Sequence, residues 1–583
     1  MVLVLVNGQP LTVNWENDNL SAILETWFQN CKGGTVIAKA LFGDINPSGK
    51  LTVTFPRSVG QIEYNFPFKK GSHGGQVRSG GFNGNGVTRV VGELYPFGYG
   101  LSYTSFEYSD LKISQDGCTF GVDARITNTG KCAGDEIVQL YIRDKVSSVV
   151  TYDSVLRGFE RVPLAPGESR AVHFTVKPED LQILDKNMNW TVEPGEFEIM
   201  LGASSRDIRL KETVNVKLED TVVPAVAATL RKQVLSDAQK ALGESPVTVT
   251  AASCPRSQGG LHDFYSEGDY WWPDPKNPDG PYIRRDGLTN PDNFTAHREY
   301  MIRFSRIVGS LASAYILTGE DRYVKAIDTH VKAWFSDSAT RMNPNLEYAQ
   351  AIKGVTKGRG VGIIDTIHLI EVAQTIDRLS DVMDPKVVSA AKKWFRKYLE
   401  WMTESPNGLD EKKAKNNHAT CWALQAAVFS RLVDDGKTLA LCEDMYKNNF
   451  LPTQMAPDGS FPKEIARTKP YGYSLFNLDQ MAALAFVLSD DTDDVWNYVT
   501  ADGKNISSGV SYMLPFVKDK KTWPCPADVM FYEYWPVAHP FLLFSAVKDG
   551  KACSLELWRK LDHFPENAEV LRNLPIRNPL IWL

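Results

Sequence analysis

HREYMIRFSRIVGSLASAYILTG, residues 297–319, repeats Met301, Phe304, Val308, Leu311 and Tyr315 at steps of three or four, the period of one helix face. The same grammar continues in DRYVKAIDTHVKAWF (321–335), IIDTIHLIEVAQTIDRLSDV (363–382) and DPKVVSAAKKWFRKYLEWM (384–402). It runs on through ATCWALQAAVFSRLV (419–433), GKTLALCEDMYKNNFL (436–451) and LFNLDQMAALAFVLS (475–489). Short links between such segments favour antiparallel neighbours. PAVAATLRKQVLSDAQKAL (224–242) opens the series. Periodicity alone is compatible with a ring of paired helices, a solenoid or an irregular bundle.

Before residue 218 the pattern is different. CTFGVDARITNTG (118–130), DEIVQLYIRD (135–144), SRAVHFTVKP (169–178) and GEFEIMLGAS (195–204) alternate apolar and polar residues between turn formers. That spacing predicts a β-sandwich over about 105–218. Ahead of it, LSAILETWFQNCKGGTVIAKALFG (20–43) and the strand-like LTVTFP (51–56) read as part of an α/β domain. The expected architecture is therefore multidomain: a partial α/β piece at 1–104, a β-sandwich at 105–218, and an all-α domain at 219–583.

A chain of 583 residues exceeds one hydrophobic core, and 43% hydrophobic with 23% charged residues is an ordinary globular balance. A net charge of −6 without a basic run argues against a general nucleic-acid binder, while a local basic cleft for an acidic polymer stays open. The eight cysteines form no CxxC pair or Cys/His cluster, so neither a zinc site nor another metal or cofactor is expected, and buried free thiols are. MVLVLVNGQPLTVNW (1–15) lacks a basic leader region and reads as a core strand rather than a secretion signal. No stretch is long enough to span a membrane. Nothing in the composition specifies an oligomeric state.

Three constellations carry chemistry. LHDFYSEGDYWWPDPKNPDGPYIRRDG (261–287) offers Trp271 and Trp272 as sugar platforms and Arg284 and Arg285 for a carboxylate, unless its aromatics simply fill the core. KNNHATCWALQAAV (415–428) places Asn417 and His418 at a helix start, where Asn417 could also cap. DGSFPKEIARTKPYGYSLFNLDQM (458–481) brings Arg467, Tyr471 and Tyr473 into a turn-like run before a helix.

Taken one at a time, each has a bland reading. Together they suit β-elimination of a uronate. Removing the C5 proton beside a carboxylate is easier when Asn and His donors stabilise the enolate-like charge. A tyrosine of ordinary pKa about 10 becomes a base if a neighbouring Arg lowers it, and can then return the proton to the departing O4. In mannuronate and glucuronate, H5 and O4 share a ring face, so one tyrosine serves both steps in a syn elimination.

Two resemblances sharpen this. GKLTVTFPRSVGQ, LYPFGYGLSYTSFEYS, NTGKCAGDEIVQLYIRD, LRGFERVPLAPGES and EPGEFEIMLGASSRDIRL resemble the C-terminal part of family 3 glycoside hydrolases. This implies the end of that family's α/β sandwich followed by a fibronectin type III-like domain. That family's nucleophilic aspartate lies on a barrel outside the resembling stretch, and retaining hydrolysis needs two flanking carboxylates. The front half is accordingly expected to be a scaffold or interaction module. DFYSEGDYWWPDPKNPDGPYIRRDG, NNHATCW and EIARTKPYGYSLFNL resemble the alginate lyase superfamily with an α/α toroid, nearest polysaccharide lyase family 38 and more distantly family 5.

The second resemblance implies that Asn417 and His418 neutralise the uronate carboxylate and that Tyr473 is base and acid, with Arg467 assisting. Tyr473 is preferred to Tyr471 for the SLFNL that follows it. It also implies an acidic polysaccharide as partner and a periplasmic or secreted location. His297 with Arg298, Tyr348, Gln350 and Arg359 are further candidates for binding sugar. Gly358, Gly360 and Gly362 do not follow a strand as a nucleotide loop would. His539 reads as packed among aromatics. The alternatives to an alginate lyase are a glucuronan lyase, a non-catalytic glycan-binding protein and, least favoured, a glycosidase.

Overall fold

The computed structural model describes the chain except residues 62–64, 70–91, 187, 189 and 491. It divides into two compact units, Met1–Ala225 and Val226–Leu583. The division falls inside the helix Leu218–Ala241.

In the first unit, the opening apolar run is a strand, Val2–Leu5, paired in parallel with Ala22–Glu25. LTVTFP contributes only Phe55–Pro56 to a strand, paired with Glu93–Tyr95. Seven longer strands follow: β1 (Phe106–Asp116), β2 (Thr119–Asn128), β3 (Gly134–Asp144), β4 (Val155–Leu164), β5 (Ser169–Val176), β6 (Gly195–Gly202) and β7 (Ile208–Val216). They form two antiparallel sheets, β1-β2-β5 and β7-β6-β3-β4. Period-two alternation sends Phe120, Val122, Ala124 and Ile126 of β2 inward against Val138, Leu140, Phe197 and Ile199.

The second unit is helical. Its principal helices are α1 (Ala296–Thr318), α2 (Asp321–Phe335), α3 (Leu369–Arg378), α4 (Pro385–Glu404), α5 (Asn417–Val433), α6 (Gly436–Met445), α7 (Pro470–Leu488), α8 (Ile506–Lys518), α9 (Pro540–Lys548) and α10 (Ala552–Trp558). Local signals set their ends. Gly319, in the left-handed conformation, stops α1, while Asp384 caps α4 ahead of Pro385.

Each of α1, α3, α5, α7 and α9 packs on the next. The others lie outside them: α2 on α1, α4 and α6 on α5, α8 on α7, and α10 on α9. Because α5 and α7 are covered on both sides, they are buried around most of their circumference. The expected toroid is thus present as paired inner and outer helices. No closed barrel forms among the described residues.

All eight cysteines are free, as expected, but only Cys118, Cys254, Cys421 and Cys442 are buried. Cys31, Cys132 and Cys553 are exposed. No described helix is long and apolar enough to cross a membrane.

Candidate active site

The site lies where the first turns of α5 and α7 meet the segment 265–287. The N-cap of α5 is Asn416, and Asn417 is its first helical residue. The Asn417 backbone N–H and its Nδ2 each donate to Glu464, on the short helix Pro462–Ile465, both at 2.7 Å. Glu464 therefore does the capping that Asn417 was expected to do for itself. Burial pushes the Glu464 carboxyl up, against the opposing pull of Asn417, His418 and Arg467.

His418 sets Nδ1 2.6 Å from Glu411 Oε1. Burial works to lower its pKa, but Glu411, and then Glu464, outweigh burial and raise it. With Nδ1–H donated to Glu411, Nε2 has no protein hydrogen-bond partner among the described residues, and it carries a proton in the imidazolium. The side chain is 23% exposed.

Tyr471 and Tyr473 begin α7, and a two-residue step turns about 200° around a helix. They therefore diverge. Tyr471 is buried against Trp523 and Tyr532, and its hydroxyl donates to Phe516 O at 3.1 Å. Tyr473 faces the other way, its Oη 2.7 Å from Tyr270 Oη. The Arg467 guanidinium lies 4.7 Å from the centre of the Tyr473 ring and pairs with Asp286 at 3.1 and 3.4 Å.

The sequence led to an expectation that Arg467 would leave the Tyr473 phenol below its ordinary pKa. Burial is the larger effect, and the phenol is pushed up to about 12 although Arg467 and the Tyr270 hydrogen bond both lower it. Behind Tyr270, the buried Lys469 ammonium sits 5.5 Å from the ring centre and pairs with Glu569 at 2.8 Å.

Trp271–Trp272 forms a hairpin with Ile283–Arg284. Arg359 lies 5.9 Å over Trp271, and Arg285 lies 5.2 Å over Trp272. Arg284 reaches Asp286 at 2.6 Å, so one carboxylate joins this hairpin to Arg467. Arg359 is anchored by Gln350, through the backbone oxygen at 3.0 Å and Oε1 at 3.2 Å. Tyr348 is half-buried, with Lys357 5.4 Å over its ring.

Other candidates are turned inward. Gln350 is buried, and its amide donates to Asp269 and Asp365. His297 has both ring nitrogens engaged by backbone, at Tyr265 N and Ala252 O, each 3.0 Å. Neither nitrogen remains for a sugar, which corrects its expected place in the cleft. Arg298 joins Arg572 around Asp269 beneath the site. His539 is fully buried on Asp479 between Trp535 and Phe541, packed as expected.

Sequence reasoning passed over Tyr270, Asp286, Glu411, Glu464 and Lys469. Tyr270 had a signal, since it adjoins the flagged tryptophans. Asp286 and Glu464 left none, since each meets its partner far away in sequence. Among the described residues no His, Cys, Asp and Glu group has the arrangement of a metal site.

The alginate lyase family model matches residues 248–523. The family models for the fibronectin type III-like domain and the glycosyl hydrolase family 3 C-terminal domain match 136–205 and 1–103. A solved alginate lyase from Bacteroides ovatus is 32% identical with a TM-score of 0.52, covering 61% of this chain and 93% of that one. A β-xylosidase of Formosa agariphila is 42% identical over 218 residues, 36% of this chain and 29% of that protein. A periplasmic β-glucosidase of Salmonella typhimurium is 40% identical over 215 residues, 36% of this chain and 28% of that protein. The chain thus spans under a third of the length of these two curated relatives.

Proposed function

This chain belongs, through its helical unit, to the alginate lyase family and is a polysaccharide lyase; from that premise we propose that it cleaves β-linked polyuronate, mannuronate-rich alginate foremost, by syn β-elimination. The observation that carries the reading is Tyr473 hydrogen-bonded to Tyr270 beneath the Arg467 guanidinium, with Asn417 and His418 tied to the same segment through Glu464.

The uronate carboxylate accepts from His418 Nε2–H and from the Asn417 amide hydrogen not used by Glu464. His418 acts as imidazolium, a state favoured by Glu411. The two donors stabilise the negative charge that develops as C5 loses its proton.

Tyr473 as phenolate takes that proton, and the C5–H electrons become the C4=C5 double bond. The C4–O4 bond breaks, O4 receives the proton from Tyr473, and the phenolate is restored. Arg467 and the Tyr270 hydroxyl stabilise the phenolate, while burial opposes it. The active form is scarce below a phenol pKa of about 12. Activity therefore rises with pH, close to tenfold per unit, while His418 stays an imidazolium, and levels off once that imidazolium loses its proton.

The aromatic hairpin with Trp271, Trp272, Arg284 and Arg359 borders the cleft and contributes sugar contacts. The first unit is a scaffold in this reading, and the enzyme works in the periplasm or outside the cell.

The test is release of ultraviolet-absorbing unsaturated ends from polymannuronate, polyguluronate, alginate and glucuronan, compared at equal mass. Fastest release from polymannuronate supports the proposal. Release from glucuronan alone redirects it to the other syn-disposed uronate, and no release from any of the four overturns it.

A further inference from the structure

A second cationic cleft opens beside the site. It encloses about 510 Å³ and is lined by Arg256, Tyr265, Glu267, Lys353, Thr356 and Lys357, among others. Its wall is the parallel strand pair Tyr265–Glu267 and Tyr348–Ala351. Its one acid, Glu267, is already neutralised by the two-pronged bond from Arg256, at 2.6 and 2.7 Å, and further held by Phe294 N–H and the Tyr265 hydroxyl.

Lys353 and Lys357 are different. Both are exposed, and neither has a carboxylate partner among the described residues. Each ammonium instead lies over an aromatic face, Lys353 at 5.6 Å from Tyr282 and Lys357 at 5.4 Å from Tyr348. These ring contacts hold two like charges at one cleft without cancelling them.

The loop that presents them is fixed. Ile352 N–H bonds to Thr356 O, Thr356 N–H to Ile352 O, and Tyr282 N–H to Lys353 O. Gly354 at φ +73° supplies the turn, with no room for a side chain against Pro281.

The cleft is also close to the chemistry. Glu267 precedes Tyr270 by three residues, at most about 11 Å of extended chain. Tyr270 in turn holds Tyr473. A polyuronate carries one carboxylate per sugar, so a chain held at His418 has further anions to place.

We propose that Lys353 and Lys357 form a second carboxylate subsite, which grips a uronate of the same polymer away from the sugar undergoing elimination. The inference rests on the polyuronate reading above. It makes the enzyme favour long chains and makes that preference sensitive to salt.

The experiment compares wild type, the double variant Lys353→Ala/Lys357→Ala and the double variant Lys353→Arg/Lys357→Arg on polymannuronate and on mannuronate trisaccharide. For the alanine variant, KM on polymer is expected to rise about fivefold with kcat retained. Its KM should also depend less on sodium chloride, its trisaccharide kinetics should match wild type, and the arginine variant should keep the wild-type KM. An unchanged polymer KM, or an equal loss on the trisaccharide, overturns the subsite. If wild type yields no unsaturated product, the elimination reading fails. Retardation in native gels containing polymannuronate then decides the subsite by itself: retardation lost in the alanine variant supports it, and retardation equal to wild type defeats it.

Discussion

Tyr270→Phe isolates the hydrogen bond on which the proposed base depends. Phenylalanine keeps the ring beside Lys469 and loses only the hydroxyl that lies 2.7 Å from Tyr473. When Tyr473 is a phenolate, Tyr270 must donate to it, and a hydrogen bond to a charged group is worth about 2 kcal/mol. Burial of Tyr473 is unchanged, so nothing offsets the loss. At about 1.4 kcal/mol per pKa unit, the phenol should rise by roughly 1.5 units. At any fixed pH on the rising limb, kcat/KM should then fall about 30-fold. The assay is kcat/KM on polymannuronate across pH 6–10, with a thermal melt to show that folding is retained. A profile lowered by about 30-fold across the range, with its bend unmoved, is the expected result. A profile at the wild-type height would refute the claim that this bond stabilises the phenolate.

Glu411→Gln removes the carboxylate that outweighs burial at His418. The imidazole should then titrate at lower pH by NMR, and kcat should fall by about tenfold or more at a pH where the variant's imidazole is neutral and the wild type's is still charged. Asp269→Asn removes the nearest of the buried carboxylates around Arg298 and Arg572, leaving Asp365 and Glu569, and should destabilise the fold by about 3 kcal/mol in urea denaturation. The sign with pH follows from the same pairing. Those arginines hold the Asp269 carboxyl well below its unfolded value, so its stabilisation is present above about pH 4 and fades as pH falls further. Wild type should lose stability in acid more steeply than the variant.

Much of the fold was written in periodicities that survive without tertiary context. The period-two run of β2 and the three-four spacing of α1 each describe one buried face. LTVTFP is a strand only at its end: among the described residues Phe55–Pro56 pair with the short Glu93–Tyr95, while Leu51 exchanges isolated backbone bonds with Gly98 and Tyr99. In the candidate site, the structure brings Arg467 and Tyr473 together and gathers Asn417 and His418 at one helix start. Glu464 and Asp286 were invisible because a paired carboxylate reads like any surface acid until its partner arrives. Asp286 meets Arg467 across 181 residues of sequence. The Tyr473 phenol went the opposite way from expectation because burial is a property of packing, and no local motif carries it.

The fate of Tyr471 has the same origin. The run PYGYSLF looked like a turn, in which two tyrosines two apart need not share a face as they would on a strand. Pro470 at the first helical position turns it into α7, and the helix sends one hydroxyl to Phe516 O and the other to Tyr270.

The most direct test of the account is Tyr473→Phe assayed by absorbance of unsaturated ends released from polymannuronate. The account predicts that product formation falls by about a thousandfold or more, with the thermal melt and polymer binding retained. Product released at the wild-type rate by the folded variant would contradict it.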